Sequence, residues 1–276
     1  MTSIDRRHAL RAGAGAAVAG ALATGCATGG PARDRPAPAA PTPPTPGASG
    51  TPERPGARPA PPSRAAGPAP GPRRFPGQPA QITHGPRDRD RVALTFHGAG
   101  DPATARAVLA EAERAGARLT VLAVGGWLDQ YPDLARRVLD GGHDLGNHTQ
   151  RHLTVTEMSE ADAYAEITGC AGRLRRLTGS IGTWFRPSRT QYATPSLIRL
   201  AHRAGYPHVL SYDLDSLDST SPGGAAVTRT VAGQIQRGSV VSLHFGYADT
   251  VAAMPALFDD LNRRGLRAVT TTELLS

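Results

Sequence analysis

The chain has 276 residues, more than one ordinary domain needs, and its basic side chains are all arginine, 31 of them against 23 acids for a formal charge of +8. Ten of those arginines and three of the acids fall in residues 1–84, which leaves 21 Arg against 20 acids in residues 85–276. The near balance withholds electrostatic support from nucleic-acid binding by the folded part. The two cysteines, Cys26 and Cys170, exclude a disulfide framework.

In chain order, Asp5-Arg6-Arg7 precedes an apolar, Ala/Gly-rich run from Ala12 to Ala23 that closes on Leu22-Ala23-Thr24-Gly25-Cys26. This segment, residues 1–26, resembles a twin-arginine export signal whose end resembles a bacterial lipobox. It implies an exported protein, held to the membrane by lipid on Cys26 and facing the cell wall, or secreted after simple cleavage. The run is shorter than the roughly 20 apolar residues of a membrane-spanning helix, so we read it as removable. Residues 27–84 are a linker by composition. Residues 31–80 hold 17 of the 25 prolines, with no apolar period that could bury a core, which predicts a disordered, semi-stiff tether.

From residue 85 to 276 the pattern becomes that of a folded domain. Short β-branched or apolar runs (Arg91–Phe96, Arg118–Ala123, His143–Gly146, Trp184–Arg186, Pro207–Ser211, Ser239–Leu243, Ala268–Thr270) alternate with longer amphipathic stretches. The helix candidates are Pro102–Ala115, Pro132–Asp140, Ser159–Leu177, Pro195–Ala204, Ala225–Gln236 and Thr250–Arg264, several opened by proline or a hydroxyl cap and closed by glycine. About seven such repeats predict a parallel α/β fold, a barrel or an open sheet. Cys170 falls on an apolar helix position and reads as a small core residue.

Polar residues sit at the downstream ends of the strand candidates: His97, then His148 and His152, Arg186, the trio Asp213, Asp215 and Asp218, and His244. In α/β barrels those ends converge on one face. The four-residue spacing of His148 and His152 suits one helical turn that aims two imidazoles at one divalent metal.

These residues carry a resemblance to the polysaccharide deacetylases, the NodB-homology or carbohydrate esterase family 4 proteins, over about residues 90–275. His148-Thr149-Gln150-Arg151-His152 matches the family's His-Ser/Thr-x-x-His motif, which implies that both histidines bind metal. Phe185-Arg186-Pro187 matches the start of the next motif and implies that Arg186 orients the catalytic base. Asp215-Ser216-Leu217-Asp218 and Ser242-Leu243-His244 resemble the last two, which implies His244 as general acid, tuned by Asp218 or, failing that, Asp215. The implied fold is a distorted (β/α) barrel of about seven parallel strands. The first motif departs: the family's Thr-Phe-Asp-Asp-Gly is here Thr95-Phe96-His97-Gly98-Ala99-Gly100-Asp101. Either His97 is the base and Asp101 the third metal ligand, the assignment favoured here, or His97 is a third imidazole ligand and Asp101 the base.

The resemblance implies a hydrolase that uses a divalent metal, zinc first, to remove N-acetyl groups from an acetylated cell-envelope polysaccharide such as peptidoglycan or a chitin-like polymer. Two rivals use the same fold: an O-deacetylase, and a carbohydrate-binding or wall-scaffolding module that has lost catalysis. Membrane contact is expected only through the lipid anchor, and no protein partner is indicated.

Overall fold

The computed structural model describes residues 69–276. The expected leader, and the tether as far as residue 68, lie outside the described residues. The elements run β1 (Gln81–Ile82), β2 (Arg91–Gly98), α1 (Pro102–Arg114), β3 (Thr120–Ala123), α2 (Gly125–Gln130), α3 (Asp133–Asp140), β4 (Asp144–Asn147), α4 (Glu160–Thr178), α5 (Pro195–Arg203), β5 (Val209–Leu210), β6 (Leu214–Asp215), α6 (Gly224–Gln234), β7 (Val240–His244), α7 (Ala248–Arg263), β8 (Arg267–Ala268) and α8 (Thr271–Leu274). The helix starts follow the caps: Asp101, Ser159 and Thr194 accept from backbone N–H groups of the first turns of α1, α4 and α5, while Thr270 and Glu273 form a reciprocal capping box on α8.

All strand pairs are parallel, in the order β4-β3-β2-β7-β6, with β8 against the first residues of β2 and β1 against β5. Single parallel bridges, Asn147 to Phe185 and Phe185 to Val209, carry the ring from β4 round to β5. The result is the expected distorted barrel, with its ladder thinned to bridges around Phe185 and left open between β5 and β6 among the described residues. Among the described residues no helix is long and apolar enough to cross a membrane.

Period-two alternation divides the strands between two environments. On β2, Val92, Leu94 and Phe96 join a core shared with Leu109, Leu128, Leu257 and other helix residues outside the ring. Ala93 belongs instead to an interior cluster with Leu122, Trp184, Leu210 and Val240. His97 keeps the inward register of Ala93, as His244 keeps that of Val240. Gly146 is inward too, and a Cβ there would meet the Trp184 carbonyl oxygen at 2.7 Å.

The folded part begins earlier than composition suggests. Residues 69–84, read above as tether, pack on the domain: the Ala69 amide donates to the Thr178 carbonyl, and β1 pairs with β5. Phe75 is buried in the interior cluster and stacks on Trp184 with ring centroids 5.3 Å apart. One aromatic with a local apolar strand is too short a signal to show through a proline-rich context.

Candidate active site

Four imidazoles meet at the downstream ends of the strands. His97 and His244 lie opposite each other in the β2–β7 register, their rings stacked at 4.3 Å. His148 meets the edge of His97 at 4.4 Å between centroids, and His152 lies 4.9 Å from His148. His97, His148 and His152 each turn a ligand atom into one volume, within 4.8 Å of one another.

The loop that brings the second pair together is not helical. Residues 148–152 run without regular structure, and Thr149 and His152 take φ of 68° and 58°. The expected helical turn is therefore wrong in mechanism, although the two side chains do converge. What holds the loop is a set of bonds from its neighbours. Asn147 Oδ1 accepts from the Thr149 amide, and buried Glu166 on α4 accepts from both the backbone and the guanidinium of Arg151. Arg189 donates to the His152 carbonyl from the far side.

Burial acts on the charge state. Desolvation first, then neighbouring imidazoles and Arg186, hold His97 well below the ordinary histidine range. Desolvation and His152 do the same for His148, and desolvation followed by Arg189 lowers His152. All three are thus neutral at neutral pH, the state a metal requires. His148 Nδ1 lies 2.9 Å from the Arg186 carbonyl, which leaves Nε2 as the ligand nitrogen. On these grounds the donor set fits a divalent ion.

His244 is held differently. Its Nδ1 is 2.7 Å from Asp218 Oδ1, while Asp218 Oδ2 accepts from the His244 amide and the Thr250 hydroxyl. Burial alone would raise the Asp218 carboxyl, but the bonds from His244 and Thr250 win, and its pKa is lowered. Asp218, not Asp215, is the partner of His244. Asp215 lines the same open pocket as His97, His152, Tyr212 and His244, and its carboxylate accepts from the Leu217 amide.

Arg186 is fully buried and, among the described residues, has no carboxylate partner. It donates to the carbonyls of Leu210 and Ser211, stacks on Tyr212, and places Nη1 3.5 Å from His97 Nε2. Desolvation lowers its pKa to about 10, so it stays cationic at neutral pH.

Asp101 is not brought to the cluster. Its carboxylate caps α1 by accepting from the Ala103 amide, in a cleft lined by Trp127, Tyr131 and Gln150. Nor does Gly98 leave room for a side chain, since a Cβ there would lie 2.9 Å from Ala123 Cα. Asp213 is structural, paired to Arg87 at 2.8 Å and accepting from the Val240 amide. Buried Cys170 donates to the Ala123 carbonyl, its thiol pushed up to about 12 by desolvation, which fits a core residue. Sequence reasoning missed Thr250 and Ser242. Ser242 could have been found, because it shares the inward register of His244.

A family model described as polysaccharide deacetylase matches residues 84–209. The peptidoglycan-N-acetylglucosamine deacetylase of Bacillus cereus is 30% identical over 194 residues, covering 69% of this chain and 90% of that protein. Among solved structures, the Bc1960 peptidoglycan N-acetylglucosamine deacetylase superposes with a TM-score of 0.66 at 23% identity, over 71% of this chain and 92% of its own. BA3943 of Bacillus anthracis, described as a CE4 family pseudoenzyme, gives a TM-score of 0.68 at 20% identity, over 72% and 70%.

Proposed function

The chain belongs to the polysaccharide deacetylase family, and from that premise we propose that it is a metal-dependent hydrolase removing N-acetyl groups from a cell-envelope polysaccharide, with peptidoglycan N-acetylglucosamine as first choice. The observation that carries the reading is the meeting of three neutral imidazoles with a fourth, carboxylate-bound imidazole stacked over one of them. His97, His148 and His152 are the ligands in this reading. A divalent metal held there would supply Lewis-acid activation of water near neutral pH and of the acetamide carbonyl.

The chain's own residues do the rest. His244, with Nδ1 engaged by Asp218, presents Nε2 to the pocket and is the group placed to take a proton from water and return it to the departing amine. Asp218 fixes that tautomer and stabilises the imidazolium when it forms. Arg186 keeps a positive charge beside His97, which favours the developing oxyanion.

The leader reading adds location: export, lipid anchorage through Cys26, and a substrate in the wall. Support for the substrate class comes from the relatives, whose names specify peptidoglycan-N-acetylglucosamine in one case and peptidoglycan-N-acetylmuramic acid in another.

A second reading has its own observation. The two carboxylates of the family's first motif are absent, and the Gly98 position has no space for one, so the fold could serve as a wall-binding module without turnover. Metal content of the purified chain, together with acetate release from acetylated chito-oligosaccharides and peptidoglycan fragments, separates the two. Stoichiometric metal with acetate release supports the hydrolase; metal-free protein that binds the polymer and releases nothing sinks it.

A further inference from the structure

Ser242 lies on β7 two residues before His244, faces the barrel interior and is 1 % exposed. A hydroxyl so buried needs partners, and His97 Nε2 stands 3.0 Å from its Oγ. The bonds around the two rings fix where the protons lie. The Arg186 carbonyl can only accept, so His148 Nδ1 carries the hydrogen and His148 Nε2 offers a lone pair. His97 Nδ1, 2.7 Å from that lone pair, is the donor. His97 Nε2 then accepts from Ser242. In this arrangement His97 has no lone pair to offer a metal on the side that faces His148.

Coordination through His97 Nδ1 needs the other neutral tautomer, with the single ring proton moved to Nε2. Two groups face that nitrogen, and they differ in what they allow. Arg186 Nη1 can only donate and opposes a proton there; a serine hydroxyl can turn and accept it. We propose that Ser242 is a positioning residue for the metal site: by turning from donor to acceptor toward His97 Nε2, it holds the tautomer whose Nδ1 can bind a metal. The inference rests on the reading of His97 as third ligand. Proton count is unchanged, because the imidazole keeps one hydrogen and the hydroxyl keeps its own. That hydroxyl hydrogen turns away from His97 toward the pocket that Ser242 and Tyr212 both line. The hydroxyl also accounts for a polar residue in a strand whose one other inward residue before His244, Val240, is apolar.

The test uses the full chain and the isosteric pair Ser242→Thr and Ser242→Val, which differ only in a hydroxyl, beside Ser242→Ala. Zinc affinity is measured by chelator competition, cobalt(II) coordination by its visible absorption, and folding by thermal melting with no metal added. Ser242→Val and Ser242→Ala are expected to bind zinc about 10–100-fold more weakly and to change the cobalt spectrum, with Ser242→Thr close to wild type and all melting alike. Wild-type affinity and spectrum in the Val and Ala variants overturn the role of Ser242 and leave the three-imidazole reading standing. Unchanged metal binding in His97→Ala, or no metal binding by the wild type, overturns both.

Discussion

The two ends of the barrel are built to different rules. Among the described residues, all five non-glycine residues with positive φ, Thr149, His152, Arg189, Leu217 and Ser221, lie in the loops that follow strands, at the mouth where the imidazoles meet. At the opposite end the chain passes from helix to strand, and there Gly116, Gly142, Gly179, Gly205, Gly238 and Gly265 take the positive φ values at no steric cost. A left-handed side-chain residue costs on the order of 1 kcal/mol or more. The mouth therefore holds conformations that the surrounding bonds must impose, as Glu166 and Asn147 impose them on the loop of residues 148–152. The floor is relaxed and apolar, closed by Phe75 on Trp184. Strain is concentrated where chemistry is expected, and cohesion is concentrated where it is not.

Substitutions should split along that line. His148→Ala is expected to lower metal affinity by about 100-fold or more and to abolish acetate release, with little change in thermal melting; metal analysis and an acetate assay read both. A stoichiometrically loaded His148→Ala would remove His148 from the site. Asp218→Asn should retain metal but lower turnover by roughly 10²–10⁴-fold, since the amide cannot hold His244 in the same tautomer or stabilise its charged form. Equal losses of metal and turnover would place Asp218 in the ligand shell instead. At the floor the signature reverses: Phe75→Ala should cost about 3 kcal/mol in denaturant unfolding, with metal affinity per folded molecule unchanged.

A pH prediction also belongs to the floor. His143 is buried, and its Nδ1 accepts from the Leu119 amide at 3.0 Å, so protonation there breaks a bond. Desolvation lowers its pKa to about 4. The unfolded chain, with a histidine near 6.5, binds the proton first as pH falls. Stability is therefore fully present above about pH 6.5 and declines toward pH 4, by about 3 kcal/mol from this group. His143→Asn keeps an acceptor for Leu119 and should flatten that part of the profile; an unaltered slope in the variant would assign the acid sensitivity elsewhere. The smallest effect is expected at Asp101→Ala, about 1 kcal/mol for the lost cap on α1, with full metal occupancy. Loss of metal in that variant would return Asp101 to the ligand set.

Much of this was legible in the residues. Caps and prolines placed α1, α4 and α5 to within a residue or two, because those signals are local. Placement at the downstream strand ends put His97 and His244 on one face of the barrel, and the structure pairs them directly. What could not be read depends on contacts far apart in the chain. The course of residues 148–152 is set by Glu166 and Arg189 and not by the helical spacing of its histidines. Asp101 is read from the sequence as a ligand or base, yet its carboxylate accepts from an amide of its own helix, and a cap forms at lower entropic cost than a loop excursion. The motif already prefers Asp218 to Asp215, but the Thr250 hydroxyl that helps hold its carboxylate lies on α7 with no motif around it.

The floor has one more consequence, for direction. The Ala69 amide is bound to the last turn of α4, and Pro70 accepts from the Ser180 hydroxyl just beyond it, so the first described residues lie at the pole opposite the imidazoles and leave the mouth to the loops that follow the strands.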